Sequence, residues 1–284
     1  MAILVLQGPR LTTYEAEALN EQFNGTLIKK SGYYHIQIDG EVTPQQLEQY
    51  RGQEEFDINL LSDDFDASAV KLLVTDMDST LINIECIDEI ADFINVKPQV
   101  SAITESAMRG EIDFETSLRR RIALLTGLQE DALAHVYHER LRPNPGAEQM
   151  VAGLKSRGIK IALVSGGFTY FTEKLKTRFE LDYTLANTLE FENGKLTGEI
   201  HGRIIGAEAK AEFLLEQCKA LGIKPSQAVA MGDGANDLMM MKEAGLSIAY
   251  HAKPKVQQQA HSALNHCGLE GVLGLLDIKQ YSTT

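Results

Sequence analysis

The stretch Lys71-Leu72-Leu73-Val74-Thr75-Asp76-Met77-Asp78-Ser79-Thr80 joins a short apolar run directly to two carboxylates two positions apart. Such a run reads as a strand buried on both faces, and the abrupt change at Asp76 marks its C-terminal end. Two later segments repeat the design. Residues 159–164 run into Ser165-Gly166-Gly167, and residues 228–231 run into Gly232-Asp233-Gly234. Helical patterns such as 145–157 and 209–221 flank them. Strands alternating with helices imply an α/β fold built on a doubly wound parallel sheet. In such a sheet, polar residues just past the strand C-termini converge on one crevice. Asp76, Ser165 and Asp233 are therefore expected to meet.

Between the first and second strands, about residues 83–142 are rich in helix formers, with a strong helical stretch at 114–125. This reads as a helical cap inserted over the crevice. Residues 183–205 carry the turn signal Asn193-Gly194 and read as a β-hairpin. Upstream lies a small α+β unit: a strand at 3–6, a helix at 12–23, paired strands at 25–29 and 33–38, and a short helix near 44–50. Its expected order is βαββα. The first 66 residues hold 12 of the 40 acidic side chains but only 4 of the 27 Lys and Arg. Glu54, Glu55, Asp57, Asp63, Asp64 and Asp66 cluster at its end, and clustered like charge resists burial. That cluster reads as an acidic linker. The expected layout is residues 1–66 for the small unit with its linker and 67–284 for the main domain with its cap.

Composition narrows the function. A formal net charge of −13 argues against a nucleic-acid partner. It leaves an anionic substrate open if a metal ion reverses the local field. No run approaches the ~18 apolar residues of a membrane span. The apolar residues 1–6 lack the basic region and cleavage site of a signal peptide. Cys86, Cys218 and Cys267 are odd in number and far apart, which points to no disulfide framework and to a cytoplasmic location. A homodimer is the base-rate expectation.

The residues past the strands carry the chemistry. Asp76 and Asp78 suit a shared divalent cation, or a division of labour between nucleophile and general acid/base. A calcium loop does not fit: the sixth and twelfth positions from Asp76 are Leu81 and Ile87, where glycine and glutamate are needed. Asp233 fails likewise, with Ala244 at its twelfth position. In Gly232-Asp233-Gly234-Ala235-Asn236-Asp237 the two aspartates, four apart, can face one site from a helix start. Ser165-Gly166-Gly167 offers a hydroxyl and backbone N–H groups suited to a phosphate. Lys210, alone in a helical stretch, reads as a surface residue.

Taken in order, Asp76/Asp78/Thr80, Ser165, Lys210 and Asp233/Asp237 resemble the haloacid dehalogenase (HAD) superfamily of phosphotransferases, whose pattern is DxDx[TV], Ser/Thr, Lys and [GS]DxxxD. More narrowly, about residues 70–270 resemble the phosphoserine phosphatase family. Glu85 stands nine residues after Asp76, Phe114 and Arg121 fall at the cap positions, and SGGF (165–168) and GDGAND (232–237) match. The N-terminal unit resembles the ACT-like extensions of some bacterial members, though it is shorter and lacks a signature.

The resemblance implies a Mg²⁺-dependent phosphatase that hydrolyses O-phospho-L-serine through an aspartyl-phosphate, the last step of L-serine biosynthesis. It implies that Asp76 is the nucleophile and Asp78 the acid and base. Mg²⁺ is expected on the Asp76 and Asp233 carboxylates and the Asp78 backbone carbonyl. Ser165, Gly166 and Lys210 hold the phosphate, and Asp237 orients Lys210 or a metal-bound water. Glu85 pairs with the substrate ammonium, Arg121 grips its carboxylate, Phe114 excludes water and Asn236 contributes an amide. Two alternatives remain: a HAD phosphatase or phosphotransferase for another small ester such as phosphohomoserine, and an amino-acid-sensing regulatory protein with a vestigial catalytic half.

Overall fold

The structure is a computed structural model that describes residues 2–40 and 42–279. The chain begins with β1 (Ala2–Gln7), α1 (Thr13–Phe23), β2 (Thr26–Lys29), β3 (Tyr33–Ile38), α2 (Pro44–Gln53) and β4 (Asp57–Leu61). Local chemistry sets these boundaries. Thr12 and Glu15 form a capping box at the start of α1, and Asn24 ends it in the left-handed region at φ 48°. Thr43 and Gln46 repeat the box at α2, with Pro44 in its first turn. The four strands form an antiparallel sheet in the order β2-β3-β1-β4.

The reading of the acidic stretch as a linker is corrected here. Residues 57–61 are a strand, paired to β1 with Ile3 opposite Leu61, so the unit is βαββαβ. Asp57 and Asn59 are only 3% and 0% exposed. Their polar groups bond the backbone of the main domain, and Asn59 Oδ1 also accepts from Arg51 Nη2 at 2.8 Å. Asn59 Nδ2 donates to the Ala263 carbonyl at 2.9 Å, and Ala263 N–H donates back to Asn59 Oδ1 at 2.8 Å. The Asp57 carboxylate accepts the N–H groups of Asn265, His266 and Cys267 at 2.7, 3.1 and 2.9 Å. Buried polar groups are tolerated when paired in this way.

The main domain continues with β5 (Leu72–Thr75), the helices α3 (Cys86–Phe93), α4 (Lys97–Met108), α5 (Phe114–Ala123) and α6 (Asp131–His135), then α7 (Ala147–Ser156), β6 (Lys160–Phe168), α8 (Thr169–Phe179), β7 (Tyr183–Glu192) and β8 (Lys195–His201). After these come α9 (Ala207–Leu221), β9 (Ala228–Gly232), α10 (Leu238–Glu243), β10 (Leu246–Tyr250), α11 (Pro254–Gln257), β11 (Ser262–Leu264) and α12 (Gly271–Leu275). The sheet runs β11-β10-β9-β5-β6-β7-β8. β8 is antiparallel to β7 through the Asn193-Gly194 turn, and the other pairings are parallel. All four residues of β5 are buried. Leu73, Ile161, Leu163, Val229 and Met231 pack into one core, while Leu72, Val74, Ala162, Val164, Ala228 and Ala230 pack into another on the opposite face. Period-two alternation feeding two cores is what a doubly wound sheet requires.

α3 to α6 form the insertion between β5 and β6. Its two connections meet at an Ile82–Pro143 bridge. There Asn144 Nδ2 donates to the carbonyls of Thr80 and Ile82 at 2.8 and 3.1 Å. No helix among the described residues is long and apolar enough to cross a membrane. The three cysteines are buried free thiols.

Candidate active site

The sheet order places β5 between β6 and β9, so the chain leaves β5 first to one side and later to the other. Ligands of such sheets bind at the C-terminal ends around this switch point. Asp76 follows β5, Ser165-Gly166-Gly167 lies at the C-terminal end of β6, and Asp233 follows β9. Lys210 comes from the first turn of α9.

Lys210, which its local pattern alone would leave on the surface but which the family resemblance sets against the phosphate, is 0% exposed. Its ammonium donates to Asp76 Oδ1 at 2.6 Å and to Asp237 Oδ1 at 2.7 Å. Burial alone works to lower its pKa, but the carboxylates of Asp237 and Asp76 overcome that and raise it. One carboxylate oxygen from each of Asp76, Asp233 and Asp237 lies within 4.8 Å of the others. Asp237 has both oxygens engaged, since Oδ2 accepts Gly234 N–H at 3.1 Å. Asp233 is braced by Thr80 Oγ1, which donates to its Oδ1 at 3.2 Å. Burial drives the Asp76 pKa well above the carboxylate range against the pull of Lys210. Burial and the neighbouring Asp237 push Asp233 up to about 6. A cluster that resists ionisation in this way favours a cation, and an all-oxygen donor set suits a hard divalent one.

Asp78 sits one step outward. Its Oδ1 accepts Cys86 N–H at 2.9 Å, which fixes the carboxyl at the start of α3. Its Oδ2 faces Ser165 Oγ at 3.5 Å. Burial, then the nearby Glu85, raise its pKa to about 7. Ser165 Oγ also accepts Gly167 N–H at 2.8 Å, which tightens the turn. A Cβ on Gly167 would lie 2.7 Å from Asp78 Oδ2, so a side chain there would have to displace the Asp78 carboxyl.

The cap supplies the remaining groups. Ser79 adopts φ +56°, uncommon for a residue with a Cβ, and its hydroxyl donates to Glu85 Oε1 at 2.7 Å. Phe114 reaches the β6 turn, where a Cβ on Gly166 would stand 3.1 Å from its Cζ. Arg121 is half-buried, with Nε donating to the Ser117 carbonyl at 3.4 Å. Burial lowers its pKa, and Asp88, Glu85 and Asp78 work the other way. It forms no ion pair within 4 Å among the described residues. Asn236 lies on the Gly234 turn, its Oδ1 against that glycine.

The structure thus joins Asp76, Lys210, Asp233 and Asp237 directly, and Asp78 with Ser165. Phe114 touches the β6 turn. Arg121 and Glu85 share the crevice without touching. Sequence reasoning missed the bracing roles of Ser79 and Thr80, although both stand inside the Asp76–Thr80 motif.

The family described as haloacid dehalogenase-like hydrolase matches residues 70–245. A phosphoserine phosphatase from Polaromonas sp. is 53% identical over 224 residues, which is 77% of this chain and 95% of that protein. The chain belongs to the phosphoserine phosphatase family of haloacid dehalogenase-like hydrolases. Solved structures of the family agree. A probable phosphoserine phosphatase from Vibrio cholerae, in unliganded form, superposes with a TM-score of 0.84 at 41% identity, over 97% of this chain and 86% of that one. A phosphoserine phosphatase solved as a phospho-aspartyl intermediate analogue gives a TM-score of 0.68 at 42% identity, over 72% of this chain and 98% of that one.

Proposed function

We propose that this chain hydrolyses O-phospho-L-serine to L-serine and inorganic phosphate by transient phosphorylation of Asp76. The observation that carries the reading is the buried cluster in which Lys210 holds Asp76 at 2.6 Å beside Asp233, with Asp78 facing the Ser165 turn. The family's phosphoserine phosphatases and the phospho-aspartyl analogue support it.

In the first step an Asp76 carboxylate oxygen attacks phosphorus. The bond from phosphorus to the serine oxygen breaks, and Asp78 gives that oxygen a proton. In the second step Asp78 takes a proton from water, the water oxygen attacks phosphorus, and the bond to Asp76 breaks. A carboxyl with a pKa of about 7 exchanges protons in both directions near neutral pH. Lys210 stabilises charge on the transferring group, and Ser165 and Gly166 donate hydrogen bonds to it.

The carboxylates of Asp76 and Asp233, with the backbone carbonyl of Asp78, would hold Mg²⁺, which would supply positive charge against the developing phosphoryl charge. That charge matters because two unit anions at ~4 Å repel by about 4 kcal/mol at an effective dielectric of 20. Asp237, with both oxygens engaged, serves to hold Lys210. Glu85 takes the substrate ammonium, Arg121 its carboxylate in a planar fork, and Phe114 covers the site. Asn236 lends an amide at the rim.

The test is phosphate release from O-phospho-L-serine with Mg²⁺ and with EDTA, beside phosphohomoserine, phosphothreonine and a sugar phosphate. Metal-dependent turnover preferring O-phospho-L-serine is expected. Preference for the sugar phosphate would refute the Glu85 and Arg121 roles, and preference for phosphohomoserine or phosphothreonine would refute the serine assignment. Silence toward every ester would refute the reaction.

A further inference from the structure

β6 and β7 pair in register up to Val164, lose register across Ser165 to Gly167, and regain it where Phe168 faces Asn187. The phosphate turn is thus a break in the ladder, and its backbone needs partners from elsewhere. Asn187 supplies one. It is 1% exposed, and its Nδ2 donates to the Gly166 carbonyl at 2.8 Å. Its Oδ1 accepts Ile205 N–H at 2.8 Å. Ile205 precedes Gly206, whose carbonyl accepts Lys210 N–H at 3.0 Å in the first turn of α9. One buried amide therefore ties the turn that meets the phosphate to the helix start that carries Lys210.

The same two backbone pieces form the surface under the cap. A Cβ on Gly166 would lie 3.1 Å from Phe114 Cζ, and one on Gly206 would lie 3.3 Å from Phe114 Cδ1. The ring rests on both glycines, and Asn187 fixes the spacing between them.

We infer that Asn187 is a positioning residue for phosphoryl transfer, acting through Gly166 and Lys210 without touching the substrate. The inference rests on the reading of Ser165, Gly166 and Lys210 as the phosphate-holding groups. Aspartate is the sharpest replacement. N187D keeps the shape and the bond from Ile205, but turns a donor toward the Gly166 carbonyl into an acceptor. N187S is the second variant, with a hydroxyl able to make only part of the bridge.

The experiment measures kcat, KM and inhibition by orthovanadate, a phosphate analogue that adopts five-coordinate geometry, on Mg²⁺-loaded full-length protein. Circular dichroism gives the folded fraction. The expected result is a folded variant with kcat reduced about 10- to 100-fold, the scale of a misplaced catalytic geometry. The vanadate inhibition constant should rise in step, with KM changed less than about threefold. Wild-type kcat and vanadate inhibition in either folded variant would overturn the inference. So would a loss of activity that matches the loss of folded protein while vanadate inhibition stays unchanged. If the wild-type enzyme ignores O-phospho-L-serine but cleaves p-nitrophenyl phosphate, the substrate reading fails, and Asn187 is judged by the same comparison on that ester.

Discussion

Replacing Asp57 with alanine removes the acceptor that three backbone donors of the main domain share. Asp57 takes N–H groups from Asn265, His266 and Cys267 at 2.7, 3.1 and 2.9 Å. A buried donor left without a partner costs about 1–3 kcal/mol, and one that water reaches costs far less. Cys267 is 5% exposed, whereas Asn265 and His266 meet solvent. One full penalty and two partial ones give about 3–4 kcal/mol. Deleting a desolvated charge recovers part of that, which leaves about 2–3 kcal/mol. At roughly 2–4 °C per kcal/mol for a protein of this size, Tm should fall by about 5–10 °C. The assay is thermal unfolding followed by circular dichroism, with Asp64→Ala as the control. Asp64 is exposed, and surface changes stay within about 0.5 kcal/mol. Amide exchange at 265–267 should accelerate in the Asp57 variant alone. A Tm loss no larger than that of the Asp64 variant would refute the pairing as a source of stability.

Asp78→Asn keeps an oxygen for Cys86 N–H, so Tm should hold while kcat falls about 10²- to 10⁴-fold; near-normal kcat would remove Asp78 from the proton transfers. Glu85→Gln should lower kcat/KM for O-phospho-L-serine about 10- to 100-fold, the worth of a charged hydrogen bond. The phosphate ester of 3-hydroxypropanoate, which lacks the amine, should be unaffected, and equal losses on both would eliminate the ammonium contact. His35 is 5% exposed, and burial holds its pKa below the ordinary histidine value near 6.5. The unfolded chain therefore takes up a proton near pH 6.5 that the fold resists, so this group's contribution to stability is held above that pH and lost as pH falls below it. Tm of the wild type relative to His35→Gln should drop between pH 7.5 and 5.5, and a constant difference would show that His35 titrates normally.

Much of the fold was legible because strand, turn and carboxylate follow one another without interruption. β5, β6 and β9 announce themselves as apolar runs that end in Asp76, Ser165 and Asp233. The Asn193-Gly194 turn gave the hairpin for the same local reason. β4 was hidden because Asp57 and Asn59 look solvated in sequence, and only the partner backbone makes their burial tolerable. Lys210 stood out only through the ordered set of motifs, since its own stretch of helix looks like any exposed lysine's. Its burial depends on Asp76 and Asp237, 134 and 27 positions away, and no local pattern reports such pairings. Ser79 and Thr80 stood in plain view, but their hydroxyl partners required geometry. Asn187 is one polar residue in a half-buried strand, and its meaning appears only where the β6 ladder breaks.

The position of β5 in the middle of the sheet has a consequence for the growing chain. Its neighbours β6 and β9 are both made later, and the contact from Thr80 to Asp233 spans 153 positions. Contacts of such long range close slowly, because loop closure must precede their reward. A nascent chain that has emerged only through β8 already displays Asp76 and Asp78 but has neither Lys210 nor Asp233. Until α9 and β9 dock, Asp76 has no buried cation beside it and the carboxylate cluster is unassembled. Competence to transfer phosphate is therefore a late event in folding, reached when nearly the whole domain has left the ribosome.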